Sequence, residues 1–412
     1  MLADTVGLRH SYVAFNAALG SLYENVLLEL ADATDKRDFD DTAFFDAADM
    51  VYNAGGFDPS QLNTPEARRL IAETLKQLNT AISSGVPHEV PEVVRYALEN
   101  NAFIFSGFKA FHTLREVGLS LITDKGEIKP FETFRKDVEQ VNNRYNHNYL
   151  YAEYNHAVGA SLMAARWQQI EADGDRYDLQ YRTAQDDRVR EDHAILHGTT
   201  LPPSDPFWTQ YLPPNGWNCR CTAVQVRKGK FPQSDPELSM LRGQNCTDAA
   251  KQQIFRFNPG KSLKLFPPKH PYYKAPEAAQ KELFHIARRE AQKNAKPIVI
   301  EAANLQTGHL NQTRKAMQRA YAHAFNREEL VMYDYVLANI DKLIFIGFSP
   351  LGEVKDLTNP KDLKNIKIKR DRGVTGYNIY TIAISGIEWQ VKTEVNKHGK
   401  EAIYHIMKKE KK

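Results

Sequence analysis

The chain has 412 residues, a net charge of +3, and 42% hydrophobic against 25% charged residues. That length exceeds one ordinary core and points to two or three domains of a folded, soluble protein. It has no apolar run near the roughly 20 residues of a membrane helix and no basic-then-apolar N-terminal signal, and its three cysteines are too few for a disulfide framework, so no membrane span and synthesis in a reducing cytoplasm are expected.

Residues 1–120 are expected to be mainly helical. Thr64 is placed to cap a helix over 65–82, with Pro65 in its first turn and Leu70, Ile71, Leu75, Leu78 and Ile82 at helical spacing. A second helix opens near Pro91. From Pro130 to about Ala172 runs a long helical pattern. Its stripe passes from Phe131, Phe134, Val138, Val141, Tyr145 and Tyr149 to Tyr154, Val158, Leu162 and Ala165, with one wider step after Tyr149. The stripe is read as core or subunit contact in preference to a platform for stacking bases.

Next, RYDLQYRT and CTAVQVRK are strand candidates, the second with Thr222, Val224 and Val226 on one face. Residues 229–275 are rich in proline and are expected to form a linker or an arm wrapped on a partner. Beyond a boundary near 275, KAPEAAQKELFHIARREAQKNA, TRKAMQRAYAHAF and REELVMYDYVLANIDK read as helices. LIFIGFSP, IKIKR, NIYTIAIS, IEWQVKTEV and AIYHIMK read as short strands, with turns such as Lys397-His398-Gly399 between them. Helices followed by an antiparallel sheet make an α+β module, so the whole chain is an α+β multidomain protein with a largely helical N-terminal part.

The densest chemistry lies between Tyr181 and Cys221. Asp187, Arg188 and Arg190 precede Glu191, Asp192 and His193, a pattern that favours salt bridges over phosphate binding because acids sit beside every base. His193, Cys219 and Cys221 are of the types that hold zinc, with His197 as an optional fourth ligand; the competing reading is a pair of small buried thiols beside a hydrogen-bonded histidine. Cys246 reads as a spare thiol. DPFWTQYLPPNGW should bury Phe207, Trp208, Tyr211 and Trp217 in a rigid loop, with Gly216 permitting the turn. The segment has no Ser/His/Asp set, Gly-rich phosphate loop or Walker sequence.

Charge is unevenly spread. Residues 291–412 hold 21 Lys and Arg against 13 Asp and Glu, whereas the first 290 residues hold 33 against 38. A basic terminal module suits contact with DNA or RNA, and equally a solvated lysine-rich face.

Several blocks together carry a resemblance. FSGFKAFHTLREVGLSLITDKGEIKPFETFRKDV, NYLYAEYNHAVGASLMAARW, Asp186–Leu196, LPPSDPFW and YLPPNGWNCRC follow one another as in phage Mu protein F-like minor head, or head morphogenesis, proteins. The resemblance covers about residues 65–225. It implies a minor capsid protein of a tailed phage or prophage, located in the virion head near the portal. Portal and capsid subunits would be its partners, in head assembly and DNA delivery. The implied domains are a head-morphogenesis domain over 1–228, the segment 229–275, and a third region over 276–412.

That third region, through TGHLNQTRKAMQRAYAHAF, LIFIGFSP and IEWQVKTEVNKHGKEAIYHIMK, resembles phage-associated barnase, EndoU, colicin and RelE-like nuclease modules. Metal-independent RNA cleavage is then implied, with His309, Arg319, His323, Lys392 and His405 as the catalytic candidates and Arg314, Thr393 and Tyr404 beside them. Strand alternation puts Trp389, Val391 and Thr393 on one face and Lys392 on the other. It also sends Tyr404 and His405 to opposite faces, so at most one should line a cleft. A binding-only module and a DNA-packaging accessory are the alternatives.

Overall fold

Side-chain caps start the early helices. Asp40 accepts a hydrogen bond from the Thr42 amide at the head of α2 (Asp41–Asn53), which follows a first helical stretch, α1, over 12–23. Thr64 accepts from the Ala67 amide at 3.3 Å, and Pro65 opens α3 (Pro65–Gly85), as the sequence predicts. Of the expected apolar positions, Leu70, Ile71, Leu78 and Ile82 are buried and Leu75 is half-buried. The computed structural model describes residues 12–23, 39–87, 90–123, 125, 127–249, 251–324, 327–352, 359–384 and 387–409. The described residues form two compact units, divided after Leu283.

In the first unit, α4 (Glu92–Ser120) is followed by α5 (Phe131–Asn142), a π-helical stretch (Asn143–Tyr149) and α6 (Leu150–Asp173), the last three unbroken. In the first half of the expected stripe Phe134, Val138, Val141, Tyr145 and Tyr149 are buried, whereas Phe131 at its start is exposed. The second half holds only at Ala165, which is buried. Tyr154, Val158 and Leu162 are only partly buried, and the buried face of α6 is Glu153, His156, Ala157, Ala160, Ala164 and Trp167. The wider π turns shift the helical phase, so a stripe extrapolated at α spacing drifts off the core. Gly85 of α3 meets the Val158 carbonyl and Ser161 hydroxyl of α6 so closely that any β-carbon would collide with them.

A buried ion pair sits between these helices. Lys109 Nζ on α4 lies 2.5 Å from Glu153 Oε2 on α6, and both side chains are almost fully inaccessible. Tyr23 on α1 donates to the other carboxylate oxygen at 2.8 Å and lies 3.2 Å from His270 Nε2. Burial pulls the Lys109 pKa down, and the Glu153 carboxylate acts against that pull.

Residues 177–227 add a three-stranded antiparallel sheet of order β2-β1-β3, built from β1 (Tyr177–Arg182), β2 (Thr200–Leu201) and β3 (Thr222–Arg227). In β3 the buried positions are Ala223 and Val226, so strict alternation over Thr222, Val224 and Val226 does not hold. The proline-rich stretch expected to be a linker or arm is instead folded onto this unit. It contributes α9 (Pro236–Cys246) and α10 (Pro259–Ser262), after the short α7 (Glu191–Ala194) and α8 (Phe207–Tyr211). Phe266 stacks on Phe105 at 3.6 Å between ring centroids, Asn101 accepts from the Leu265 amide, and Tyr272 and His270 are buried. Its prolines punctuate short helical turns, while its aromatics supply the apolar area that holds it down.

The unit boundary falls inside α11 (Glu277–Asn294). The second unit is a six-stranded sheet of order β4-β5-β9-β8-β7-β6. Its strands are β4 (Ile298–Glu301), β5 (His309–Gln312), β6 (Ile344–Pro350), β7 (Val374–Ile384), β8 (Ile387–Asn396) and β9 (Glu401–Lys408), with helices α12 (Arg314–Ala322), α13 (Arg327–Ala338) and α14 (Pro360–Asp371). β5 and β9 are parallel and the other pairs antiparallel. The α+β expectation holds at this level. IKIKR, expected as a strand, is the second half of α14: Asn359 caps the helix and Pro360 fills its first turn, and these outweigh the two-residue alternation. β4 and β5 escaped the sequence reading.

Replacing Lys109 with Met should strand a buried carboxylate and cost about 3–5 kcal/mol in urea unfolding, most of it recovered in the Lys109→Met/Glu153→Leu double variant. Equal losses in the single and double variants would refute the pairing.

Acid should act on the buried histidines. Burial lowers His112 to about 3 and His156 to about 4, and each places Nε2 at 3.0 Å from a backbone carbonyl. Above pH 6.5 these rings are neutral whether folded or unfolded; below it only the unfolded chain takes up the protons. Stability is therefore expected to fall by up to roughly 1.4 kcal/mol per pH unit per ring between about pH 6.5 and 4. His156→Gln should flatten that slope, and an unaltered slope would count against this assignment.

Candidate functional site

Among the described residues, each unit holds a cluster of side chains suited to ligand chemistry. The first grows from the segment between β1 and β3. Gln185 takes a positive φ of 57°, and Asp186 receives a two-pronged bond from Arg220, at 2.6 Å on each oxygen. That hydrogen bonding holds the Asp186 carboxyl below its usual range. The ion pair placed here is Asp186–Arg220 and not one within the expected run from Asp187 to Asp192, whose Arg190 turns to a backbone carbonyl. Arg190 donates to the Trp217 carbonyl at 2.6 Å, and its guanidinium lies where a β-carbon on Gly216 would go. Gly216 is needed for that close approach; the left-handed residue of the turn is Asn218, at φ 54°.

Phe207, Trp208, Tyr211 and Trp217 are buried as expected. The Trp217 ring stacks on Tyr23 at 4.8 Å, and Tyr181 donates to the wholly buried Asn215 at 3.0 Å. These contacts fix the PPNGWNCRC loop against the helices.

Within this frame His193, on α7, places Nδ1 at 3.6 Å from both Cys219 Sγ and Cys221 Sγ. His193 and Cys221 are buried, Cys219 is partly buried, and the three donor atoms lie within 4.8 Å of one another. The ring's other nitrogen, Nε2, is buried and without a hydrogen-bond partner. Asp192, His193 and Cys246 form a second group of donors within 4.8 Å, so Cys246 is a neighbour of the cluster.

Electrostatics polarise the trio. The hydrogen bond from Cys221 holds the Cys219 thiol well below its ordinary pKa, with His193 assisting, whereas the Cys219 thiolate pushes Cys221 up. Burial opposes charge on His193, but Cys219 outweighs it and raises the ring to about 10. His197 does not join: its Nδ1 accepts from the Thr183 amide at 3.2 Å at the surface, because α7 stops at Ala194 and His197 falls in the turn that follows.

The second cluster covers one face of the larger sheet. Glu394 on β8 receives Arg372 at 2.9 Å, with Lys369 and Arg319 each at 3.9 Å. Lys369 also donates to Tyr377 at 2.5 Å and lies 4.0 Å from the centroid of the Tyr404 ring. His323, at the end of α12, has its ring 4.3 Å from Tyr404 and 6.0 Å from His405.

Both of those β9 residues reach His323 because Lys392 pairs with His405 while Thr393 pairs with Ile403, leaving Tyr404 as the extra residue of a β-bulge. The expectation that only one of them could line a cleft is therefore overturned. Burial and then the neighbouring cations lower His323; burial, His323 and Lys392 lower His405 to about 4. Both rings are thus neutral at pH 7.

Of the sequence candidates, Arg319, His323, Lys392 and His405 are drawn to this face. His309 instead opens β5 opposite Glu301, and Arg314 donates to the Lys293 carbonyl. Thr393 is buried and donates to Glu401, a fully buried carboxylate that also accepts from Tyr380 and Thr307. Lys369, Arg372 and Tyr377 were missed; the Asn359-Pro360 helix start was the signal that could have placed the two cations.

Comparison with known proteins bears on the first unit. Residues 127–224 match the family described as Phage Mu protein F like protein, a span holding α5, α6, β1, β2, the first half of β3, and the His193–Cys219–Cys221 cluster. Over 87 residues the chain is 41% identical to protein F of Escherichia phage Mu, a protein named for capsid assembly; the match covers 21% of this chain and 20% of that one. Over 85 residues it is 39% identical to the FluMu F protein of a Mu-like prophage in Haemophilus influenzae, covering 19% and 20%. The chain therefore spans about a fifth of the length of the curated relatives it matches. No solved structure matches it significantly. Among the described residues, no helix is long and apolar enough to cross a membrane.

Glu394→Gln should leave Arg319, Lys369 and Arg372 facing one another across a neutral amide. The second unit is then expected to lose about 1–3 kcal/mol and to regain part of it in added phosphate or sulfate. Unfolding of the variant that is insensitive to these anions would show that the cations are independently solvated.

Proposed function

We propose that the first unit serves the head assembly of a tailed phage or prophage, as a minor capsid component near the portal. The observation that carries this is the match of residues 127–224 to the Mu F-like family, which falls on the segment braced by Arg190 and Arg220. A rigid aromatic loop braced by two arginines suits recognition by another subunit better than catalysis. Portal and capsid subunits are the partners, and the protein resides in the virion head after synthesis in the host cytoplasm. Co-expression with portal and capsid subunits should recover it in purified heads. Its absence there, with a folded chain and no portal contact, would end this reading.

The proposal extends to the second unit as a ribonuclease carried by the head protein. Its support is the convergence of Arg319, Lys369, Arg372 and Lys392 around two neutral imidazoles and Tyr404. A neutral His405 or His323 can take the proton of a ribose 2′-hydroxyl, and the freed oxygen attacks the adjacent phosphorus. The cations balance the growing negative charge, and Tyr404 can give a proton to the departing 5′-oxygen. No metal enters this scheme.

The full chain is expected to cleave RNA in the presence of chelator. His323→Ala, Lys392→Ala and His405→Ala should each lower the rate by about 10²-fold or more. Because His405 titrates near 4, the rate should already be on its plateau at pH 6, and a base limb centred near 6.5 would remove His405 from that role. Intact RNA with a folded chain leaves a binding module, for which steep weakening of DNA affinity with salt would identify phosphate contacts.

A further inference from the structure

We infer that His193, Cys219 and Cys221 form a zinc site with three protein ligands, whose fourth corner is open to a surface cleft. The argument is geometric. Zinc holds thiolate sulfur at about 2.3 Å and imidazole nitrogen at about 2.0–2.1 Å in a tetrahedron, so a nitrogen-to-sulfur edge measures about 3.6 Å. Both such edges here, from Nδ1 to Cys219 Sγ and to Cys221 Sγ, are 3.6 Å. Two donors could reach such a spacing by packing alone. Three donors of the types zinc prefers, within 4.8 Å of one another, already outline one face of its tetrahedron.

The backbone explains why these atoms converge. Residues two apart in extended chain share a side, so Cys219 and Cys221 face inwards while Arg220 between them turns out to fork Asp186. The left-handed Asn218 aims that Cys-x-Cys, and α7 brings His193 to meet it. The cleft over the trio is lined by Ala184, Arg188, Val189, Asn218 and Arg220. Among the described residues no further His, Cys or carboxylate groups with all three, which leaves the fourth position to a ligand from the cleft. His197 is held by Thr183 outside it. The Nε2 of His193 is buried without a hydrogen-bond partner, and Asp192 and Cys246 place donor atoms within 4.8 Å of the ring's nitrogen donor.

The ion would join α7 to the start of β3, closing a loop of the chain that contains α8 and the PPNGW turn. That role is independent of whether the protein assembles heads or cuts RNA.

Elemental analysis of the full chain, purified without added metal or chelator, should find about one zinc per chain. Cobalt substitution should give a thiolate-to-cobalt charge-transfer band and the intense visible bands of a four-coordinate ion. Cys219→Ser and Cys221→Ser should each remove the zinc or the charge-transfer intensity, while His197→Ala should keep both.

Should a cysteine variant fail to fold, thiol alkylation of the wild type decides. Two thiols protected until chelator is added support the site. Rapid alkylation of Cys219 in protein given excess zinc overturns it, as does metal content unchanged in the folded Cys219→Ser/Cys221→Ser variant.

Discussion

The first unit is organised around one buried charge pair. Lys109 and Glu153 face each other with almost no solvent access, and neither could be left alone there without a penalty of several kcal/mol. Satisfying them fixes four segments of the chain at once. α4 brings the ammonium and α6 the carboxylate; α1 brings the Tyr23 hydroxyl, and the proline-rich stretch brings His270 against that hydroxyl. Tyr23 in turn stacks between Tyr149 and Trp217, so the same ring that serves the charge pair also locates the aromatic loop. The α6 register follows too: Glu153 must point inward, and the π-helical stretch before it supplies the change of phase that allows this.

The loop between β1 and β3 inherits that rigidity. Arg190 and Arg220 are spent on internal partners, the Trp217 carbonyl and Asp186, and so the segment presents a fixed shape and not a mobile charged surface. The histidine and the two thiols hang from this frame on two segments that are remote in sequence, yet they lie 3.6 Å apart at the sulfur–nitrogen edges.

The larger sheet uses its two faces differently. Glu401 is buried and satisfied by three hydroxyls, from Tyr380, Thr393 and Thr307. Glu394, also largely buried, meets three cations from α12 and α14 in place of hydroxyls. A carboxylate with hydroxyl donors is a structural fastening. One outnumbered by cations leaves positive potential over two neutral imidazoles, a setting suited to an anionic ligand.

Much of this was legible in the residues. Thr64-Pro65 announces α3, the alternation of Trp389, Val391 and Thr393 identifies the buried face of β8, and the residue types of His193, Cys219 and Cys221 single out three side chains that the fold brings together. Such features depend on neighbours within a few positions, where hydrogen bonding and side-chain period are set locally. Other features were decided only by tertiary structure. The phase of α6 follows a buried charge, the proline-rich segment lies down because Phe266 and Tyr272 find a surface, and the bulge at Tyr404 turns two adjacent side chains towards one histidine. His197 was excluded, and Lys369 and Arg372 were admitted, by where α7 stops and α14 packs. Sequence determined which groups were available and the local elements that carry them. Only packing, by making desolvated charges and rings find partners far along the chain, decided which of those groups meet.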